Sequence, residues 1–188
     1  MRVIAGSRRS LPLKSVPGLS SRPTQDRIKE TLFNMLQPYV GGSIFIDLFS
    51  GTGGIGIEAL SRGAEKCIFV EKDRKTFSVL KENLSFTKFT EESSCFQMDV
   101  LSAIPRIEEI LSNQTADIVF MDPPYHENYY EPVLKALMES RILNTETLII
   151  AEADIKEDFS FISSLGYIIV KEKKYKTNKH IWISQKEL

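Results

Sequence analysis

After residue 43, short apolar runs alternate with longer stretches in which apolar residues recur every three or four positions. The short runs predict strands and the longer stretches predict amphipathic helices. The predicted strands are 44–49, 67–71, 94–99, 117–121, 147–152, 166–173 and 179–184. The predicted helices are 54–62, 74–86, 101–112, 129–140 and 156–164. This alternation indicates an α/β fold with a largely parallel sheet, and the last two strands, joined by a short turn, should form an antiparallel hairpin.

A separate element precedes residue 43. Residues 2–6 and 11–13 predict a short hairpin, joined by 7–10, and Thr24 is a suitable N-cap for a helix that runs to about Leu36. That helix has an apolar stripe at Ile28, Leu32, Met35 and Leu36, and a polar face at Arg27, Glu30, Thr31 and Asn34. Without repeats or a long linker, we expect one domain over 1–188, with an extension at 1–42 and a core at 43–188.

A glycine-rich turn follows the first core strand. Gly51, Gly53 and Gly56 satisfy the pattern G-x-G-x-x-G between a strand and a helix. Such a turn lets a ligand approach the backbone at a helix N-terminus. Glu71 ends the next strand about 20 residues later, where an acid that binds a ribose belongs. A dinucleotide-binding fold would share all of these features.

Asp122-Pro123-Pro124-Tyr125 closes the apolar run 117–121. The Asp122 carboxylate and the Pro123 carbonyl can both accept hydrogen bonds from one planar amino group, and prolines keep the backbone stiff. Tyr125 offers a flat face on which a base can stack. The tetrad therefore suits the exocyclic amine of a nucleobase. The simpler interpretation is a proline-rich turn in which Asp122 is a turn residue.

Two further acids refine the choice of ligand. Asp47 lies in the strand just ahead of the glycines, where it can meet an amino-acid ammonium directly or through water. Together with the tetrad, it favours S-adenosylmethionine over a nicotinamide cofactor, and seven strands with a terminal antiparallel hairpin match the S-adenosylmethionine methyltransferase fold. Asp99 could accept from the adenine amino group, but capping of the helix after it is an equally good interpretation.

Composition excludes several other classes. The 188 residues are 42% hydrophobic and 26% charged, with a net charge of −1, as in an ordinary globular protein. No apolar stretch approaches the roughly 18 residues of a membrane span, so we expect a cytoplasmic protein. Cys67 and Cys95 are interpreted as core residues, which leaves no thiolate for carbon methylation of pyrimidines, and no metal motif is present. His126 and His180 are interpreted as a loop and a strand residue.

Charge is distributed unevenly along the chain. Residues 1–40 contain seven Lys and Arg against two Asp and Glu, a net charge of +5, which leaves −6 for the remainder. A basic extension on an acidic body fits an arm that contacts RNA phosphates. A second basic stretch comprises Lys171, Lys173, Lys174, Lys176 and Lys179. Solvated strand ends explain these lysines as well as RNA contact does.

The helix signature suggests a family. Residues 22–27, Arg-Pro-Thr-Gln-Asp-Arg, with Glu30 to Asn34 resemble the N-terminal signature of the bacterial 16S rRNA guanine-N2 methyltransferases. Residues 47–53 and 122–125 match the donor and catalytic motifs of that family in order and spacing, and the resemblance extends from Arg2 to about residue 184. Ser10 stands where the family commonly has glycine, and Tyr125 where phenylalanine also occurs.

The resemblance implies methylation of the N2 amine of guanine 966 in 16S rRNA, within a partly assembled small-subunit particle. It implies direct transfer from S-adenosylmethionine to a flipped base, by a monomer that uses no metal and binds no membrane. The catalytic residues would be Asp122, Pro123, Pro124 and Tyr125. The cofactor site would comprise Asp47, Phe49, Ser50, Gly51, Thr52, Gly53, Gly56, Glu71, Lys72, Asp99 and Val100. RNA would be bound by Arg8, Arg9, Arg22, Pro23, Thr24, Arg27 and Asn34.

Three alternatives stay open at this point. The Asp-Pro-Pro-Tyr tetrad is shared with adenine-N6 DNA methyltransferases, although the compact chain has no insertion for target recognition. An RNA-binding assembly factor could retain the fold without turnover, but the glycine turn, Glu71 and Asp122 are all intact. A nicotinamide oxidoreductase is the weakest alternative, because it has no use for the tetrad.

Overall fold

A computed structural model describes residues 1–16, 23–124 and 127–186, except for the side chains of 23–25. Seven strands form one sheet in the order β3-β2-β1-β4-β5-β7-β6. The strands are β1 Ile44–Asp47, β2 Lys66–Val70, β3 Ser93–Phe96, β4 Ile118–Met121, β5 Leu148–Asp154, β6 Tyr167–Lys174 and β7 Asn178–Gln185. All neighbours pair in parallel except β7, which runs antiparallel to both β5 and β6. The predicted α/β sheet with its antiparallel hairpin is confirmed.

Among the described residues, α1 Pro23–Val40 precedes β1, and four more α-helices connect successive strands: α2 Gly54–Ser61, α3 Arg74–Thr87, α4 Val100–Leu111 and α5 Tyr130–Met138. The predicted helix 156–164 is wrong, because only a 3-10 helix at Ser160–Leu165 forms there. Asp158 accepts hydrogen bonds from the backbone and the hydroxyl of Ser160, and Asp154 accepts from the Lys156 N–H. These local turns compete with the helical hydrogen bonds at the start of the segment. Within the described residues, no helix is both long and apolar enough to span a membrane.

The order of the strands fixes where a ligand can bind. From β1, the chain moves to β2 and β3 on one side, and then returns to place β4 on the other side of β1. In open α/β sheets, ligands bind outside the carboxyl ends of the strands at such a reversal. The segments that follow β1 and β4 therefore define the expected site.

Two apolar layers cover the sheet. One layer packs the strands against α4 and α5, and contains Val119 and Met121 of β4. The other packs them against α1, α2 and α3, and contains Phe120 of β4. Because successive side chains of a strand alternate between faces, Asp122 continues the row of Phe120 and lies on the α1–α3 face.

The N-terminal extension packs on that same face. The predicted hairpin is present as an antiparallel bridge between Arg2 and Pro12, supported by a 2.9 Å hydrogen bond from the Val3 N–H to the Leu11 carbonyl. Ser10 has a φ of 69°, a left-handed conformation that glycine adopts more readily than serine. The helix after it is longer than predicted, because α1 continues through Pro38 to Val40 and ends before two glycines.

A buried carboxylate attaches the extension to α2. Glu58 is fully buried and accepts hydrogen bonds from the backbone N–H groups of Ile4 and Ala5 at 2.7 and 3.1 Å. It also contacts Arg62 Nε at 2.8 Å and Lys29 Nζ at 3.6 Å. Lys29 was counted in the basic extension, but its ammonium is buried and does not contribute to a charged surface.

Candidate active site

The glycine turn is built from backbone that needs glycine. Gly53 has a φ of 89° and directly precedes α2. A Cβ on Gly56 would lie 2.2 Å from a ring carbon of Phe69 and 2.7 Å from the sulfur of Cys67. Gly56 therefore lets α2 pack tightly on β2, which holds the helix N-terminus close to the carboxyl end of β1.

Asp47 ends β1 at the base of this turn. Its side chain is buried, and its Oδ2 accepts the Gly56 N–H at 3.1 Å. Its Oδ1 is buried without a hydrogen-bond partner among the described residues. Burial raises the pKa of Asp47 from 3.8 to about 7, and the charge of Glu71 contributes. A cationic ligand group would satisfy the free oxygen.

Glu71 holds the other side of the turn. Its Oε2 accepts the Gly51 N–H at 3.0 Å, and its Oε1 accepts the Asp73 N–H at 2.7 Å. Partial burial raises the pKa of Glu71. Glu71 therefore contacts the glycine turn directly, and each of its oxygens keeps lone pairs for a ligand hydroxyl.

Asp122 follows β4 directly beside the end of β1, since Asp47 is in register with Phe120. Its side chain is exposed to solvent. Protein nevertheless surrounds it closely enough that lost hydration raises its pKa, and the charges of Glu152 and Asp47 raise it further. The carboxylate has no hydrogen-bond partner among the described residues, and neither has the Pro123 carbonyl, whereas the Pro124 carbonyl accepts from Glu127. Tyr125 lies outside the described residues.

A polar cluster beside Asp122 was missed in the sequence. Glu152 of β5 accepts one hydrogen bond from the Asn178 amide, and its other oxygen lies 3.1 Å from His180 Nε2. His180 is fully buried in β7, and its Nδ1 lies 3.2 Å from the Tyr175 hydroxyl. His180 was interpreted simply as a strand residue. The sequence did contain a signal for this cluster, a glutamate within an apolar strand. That strand lies next to β4, which the tetrad follows.

Asp99 acts as a helix cap, because its Oδ1 accepts the Leu101 N–H at 3.0 Å. Its Oδ2 accepts from the Tyr129 hydroxyl at 3.2 Å and lies 3.8 Å from Lys72 Nζ. The Tyr129 ring meets Phe49 edge-to-face, with centroids 5.3 Å apart. This group brings three predicted cofactor residues together and adds Tyr129, which the sequence did not single out.

Three other residues predicted for the cofactor site have structural contacts. The Ser50 hydroxyl donates to the carbonyls of Asp47 and Val70, and the Thr52 carbonyl accepts from Asn83. Val100 is the first residue of α4, and its side chain is buried in the core. The Ser50 side chain and the Thr52 backbone thus help to hold the turn.

The residues predicted to bind RNA do not all lie together. Arg9 and Arg27 line a depression of about 340 Å³ between the hairpin and α1, together with Arg2, Asp26 and Glu30. Arg8 instead donates to the Thr87 carbonyl at 2.8 Å and stacks over Phe89. Asn34 lies exposed towards the end of α1 that leads into the amino end of β1. Arg22 and the side chains of Pro23 and Thr24 lie outside the part of the chain that the structure describes.

The arrangement fits a cationic methyl donor. Three carboxylates, those of Asp47, Asp122 and Glu152, lie on one face at the carboxyl ends of adjacent strands. Lost hydration, and then repulsion by the other two carboxylates, raise the pKa of Asp122. A ligand with positive charge would relieve this repulsion, and the unpartnered Oδ1 of Asp47 provides a buried acceptor for it. S-adenosylmethionine carries an ammonium and a sulfonium.

The fold and the site define the class of this protein, which is an S-adenosylmethionine-dependent methyltransferase of the Rossmann-like type. The family model described as conserved hypothetical protein 95 matches residues 1–184. The chain belongs to that family.

Curated relatives agree with this assignment. The chain is 41% identical over 154 residues to the "Putative rRNA methyltransferase YlbH" of Bacillus subtilis, covering 82% of this chain and 83% of the relative. It is 38% identical over 177 residues to the "Ribosomal RNA small subunit methyltransferase D" of Haemophilus influenzae, covering 92% and 88%. The solved "Putative methyltransferase yhhF" from Escherichia coli superposes with a TM-score of 0.83 at 29% identity, covering 99% of this chain and 98% of that one.

Proposed function

We propose that this protein methylates the exocyclic N2 amine of one guanine in 16S rRNA, at position 966 in the usual numbering, with S-adenosylmethionine as donor. Curated relatives named ribosomal RNA small subunit methyltransferase D support the rRNA substrate. The observation that carries the proposal is the Asp122 carboxylate, which has no hydrogen-bond partner among the described residues. It lies beside the glycine turn, called the donor turn from here on, because Asp122 follows the strand next to the one that ends at Asp47.

The donor site is assigned to two acids and the turn between them. Asp47 would hold the ammonium through its unpartnered oxygen, and Glu71 would hold the ribose hydroxyls. Asp99 and Lys72 border the place where adenine would lie. When bound, S-adenosylmethionine supplies an electrophilic methyl group, so that no metal is required.

The chain's own residues orient the base and receive its proton. The Asp122 carboxylate and the Pro123 carbonyl accept hydrogen bonds from the N2 amine of a flipped guanine, and Tyr125 stacks on the base. The bound donor would supply the methyl group and leave as a neutral thioether, so that N2 would become cationic and would then release a proton. Asp122 can accept that proton, because its raised pKa makes it a better base than an ordinary aspartate. Most of the rate enhancement comes from positioning.

The RNA would approach along the α1–α3 face. The guanidinium groups of Arg9 and Arg27 border one depression there, and residues 1–40 have a net charge of +5 in a chain whose overall net charge is −1. We propose that the protein acts as a monomer in the cytoplasm on a partly assembled small-subunit particle, in which the target base is still accessible.

The test is methyl transfer from labelled S-adenosylmethionine to small-subunit particles that lack the modification, followed by mass spectrometry of the nucleosides. We expect N2-methylguanosine at one position. N6-methyladenosine, above all in duplex DNA, would establish the adenine alternative. Absence of both turnover and donor binding in calorimetric titration would favour a non-catalytic assembly factor.

Asp122→Ala separates chemistry from binding. Because Asp122 contacts the base and not the donor turn, we expect the variant to lose methyl transfer while its affinity for S-adenosylmethionine stays within a few-fold. Asp117→Ala is the matched control, since Asp117 precedes the same strand at its opposite end and accepts from the Ile44 N–H. Normal methylation by Asp122→Ala would refute the catalytic assignment.

A further inference from the structure

Glu152 lies one strand away from the reacting carboxylate. Strands β4 and β5 are parallel, with Met121 in register with Ala151, so Asp122 and Glu152 are the next residues along the two strands. Met121 and Ala151 share the α4–α5 face, which places Asp122 and Glu152 together on the opposite one. Neighbouring strands are about 4.8 Å apart, a spacing that lets two side chains contact one planar base.

Contacts with two side chains of β7 fix the position of the Glu152 carboxylate. Asn178 donates to Oε1, and His180 Nε2 lies 3.1 Å from Oε2. The Tyr175 hydroxyl lies against the other ring nitrogen of His180, which favours the tautomer that donates to Glu152. A carboxylate has about four lone-pair positions, so that two of them stay available for a ligand. The Glu152 side chain is 18% exposed and can reach one.

A second fixed acceptor beside Asp122 discriminates between bases. In guanine, the N2 amine adjoins N1–H, which is a donor. In adenine, the N6 amine adjoins N1, which carries a lone pair and would be repelled by a carboxylate. The N4 amine of cytosine likewise adjoins the lone pair of N3. A pair of neighbouring carboxylates therefore accepts two adjacent donors, and among these bases only guanine offers them beside an exocyclic amine.

We propose that Glu152 is the residue that selects guanine, by accepting the N1–H while Asp122 accepts from the N2 amine. His180 and Asn178 are positioning residues that hold Glu152. The inference rests on the proposed function, because it assumes that a guanine is the methylated base. It also explains how an Asp-Pro-Pro-Tyr tetrad can act on guanine although the tetrad recognises only an amino group.

The test changes the hydrogen-bonding edge of the base and one acceptor in the protein. 2-Aminopurine keeps the 2-amino group but has a lone pair in place of N1–H, and it also lacks the O6 of guanine. Because the loss of O6 is the same for every variant, the change in base preference between variants reports on the contact to N1. Particles are assembled with guanine or 2-aminopurine at the target position, and kcat/KM is measured for each. The wild type should prefer guanine by about 10- to 100-fold. Glu152→Gln presents an amide N–H to N1, and should prefer 2-aminopurine or accept both bases within a few-fold.

Two further variants complete the design. Glu152→Asp keeps the charge but retracts the acceptor, so kcat/KM for guanine should fall without a gain for 2-aminopurine. Glu172→Gln is the matched control on β6, where Glu172 contacts Lys174 and Lys179, and the base preference should stay that of the wild type. Binding of S-adenosylmethionine and thermal unfolding show that each variant is folded.

The outcomes distinguish a failure of the role proposed for Glu152 from a failure of the proposed function. If the wild type methylates guanine N2 but Glu152→Gln keeps the wild-type ratio between the two bases within two-fold, the role of Glu152 is refuted and the proposed function stands. If the wild type methylates no guanine, the proposed function itself fails. If Glu152→Gln fails to fold, unchanged guanine kinetics in Glu152→Asp would still refute the role.

Discussion

The ionised form of Asp47 is unfavourable in the folded protein when no donor is bound. Its carboxyl is buried, one oxygen has no partner among the described residues, and its pKa is raised to about 7. A group whose folded pKa lies above its ordinary value of 3.8 binds a proton more tightly in the folded state. Its ionisation therefore destabilises the donor-free protein progressively as the pH rises from about 4 to about 7.

Asp47→Asn should consequently be more stable than the wild type in the absence of donor. At pH 8 we expect a gain of about 4 kcal/mol in the free energy of unfolding, which disappears near pH 4. Urea denaturation at both pH values measures this difference. Affinity for S-adenosylmethionine should fall at least ten-fold, as measured by calorimetry, because an amide does not pair with an ammonium.

The matched control for this change is Asp117→Asn. Asp117 accepts the Ile44 N–H at the opposite end of the same strands, an interaction that an amide oxygen can preserve. Donor affinity should stay at the wild-type value. Equal donor affinity in Asp47→Asn and the wild type would show that Asp47 does not contact the donor.

At the scale of elements, Asn83 of α3 joins the extension to the donor turn. Its buried amide accepts from the Lys14 N–H at 2.8 Å, and donates to the carbonyls of Lys14 and Thr52 at 3.0 and 2.9 Å. One side chain thus satisfies backbone groups from two segments that are distant in the chain. The N-terminal extension and the donor turn are mechanically connected through it.

Asn83→Ala should loosen both segments. The lost hydrogen bonds leave backbone groups unpaired, and we expect a loss of about 2–3 kcal/mol in stability. Hydrogen exchange of the amides in residues 1–14 should accelerate at least ten-fold, with a weaker affinity for the donor. Asn113→Ala, in the exposed turn after α4, should leave both unchanged. Unaltered exchange in Asn83→Ala would contradict the proposed connection.

The elements of the core were predictable because their apolar runs are short, buried and bounded by clear turn residues. The first two strands and the helices that follow them lie within one residue of their predicted ends, apart from the first strand, which ends at Asp47. Residues 156–164 misled the prediction, because Phe159, Phe161 and Ile162 have helical spacing. All three pack on the core, but from a 3-10 turn whose start is set by aspartate side chains.

At the scale of the molecule, the predicted part of the site is the part encoded locally. Asp47, Glu71 and Asp122 each stand at a fixed offset from a strand end, so the motif places them. The contact between Glu152 and His180 joins residues 28 positions apart, and depends on β7 inserting antiparallel between β5 and β6. Nothing in the sequence near His180 encodes that partner.

The positive charge of the extension gives a prediction for the whole complex. If Arg9 and Arg27 contact phosphates, each contact releases about 0.7–0.9 counterions when RNA binds. The double variant Arg9→Ala/Arg27→Ala should reduce the slope of log affinity against log salt by about 1.5. Filter binding or anisotropy at several salt concentrations measures the slope.

Arg106→Ala/Arg141→Ala is the control that removes equal charge. Both arginines form ion pairs with glutamates of α4, which packs on the opposite face of the sheet from α1. For this control, the slope of log affinity against log salt should match that of the wild type. A drop of equal size in both double variants would show that net charge alone, and not the face between hairpin and α1, governs capture of the RNA.

Strand β6 forms one edge of the sheet, and Ile168, Ile169 and Val170 on it are 41–51% exposed. An apolar edge invites another chain to add a strand, and the lysines at 171, 173 and 174 oppose such stacking by repulsion. We therefore expect the same lysines to limit association through this edge, whether or not they contact nucleic acid. Replacing them by neutral residues would confuse lost RNA contact with aggregation, whereas exchange for glutamate would preserve solubility while reversing any attraction to phosphate.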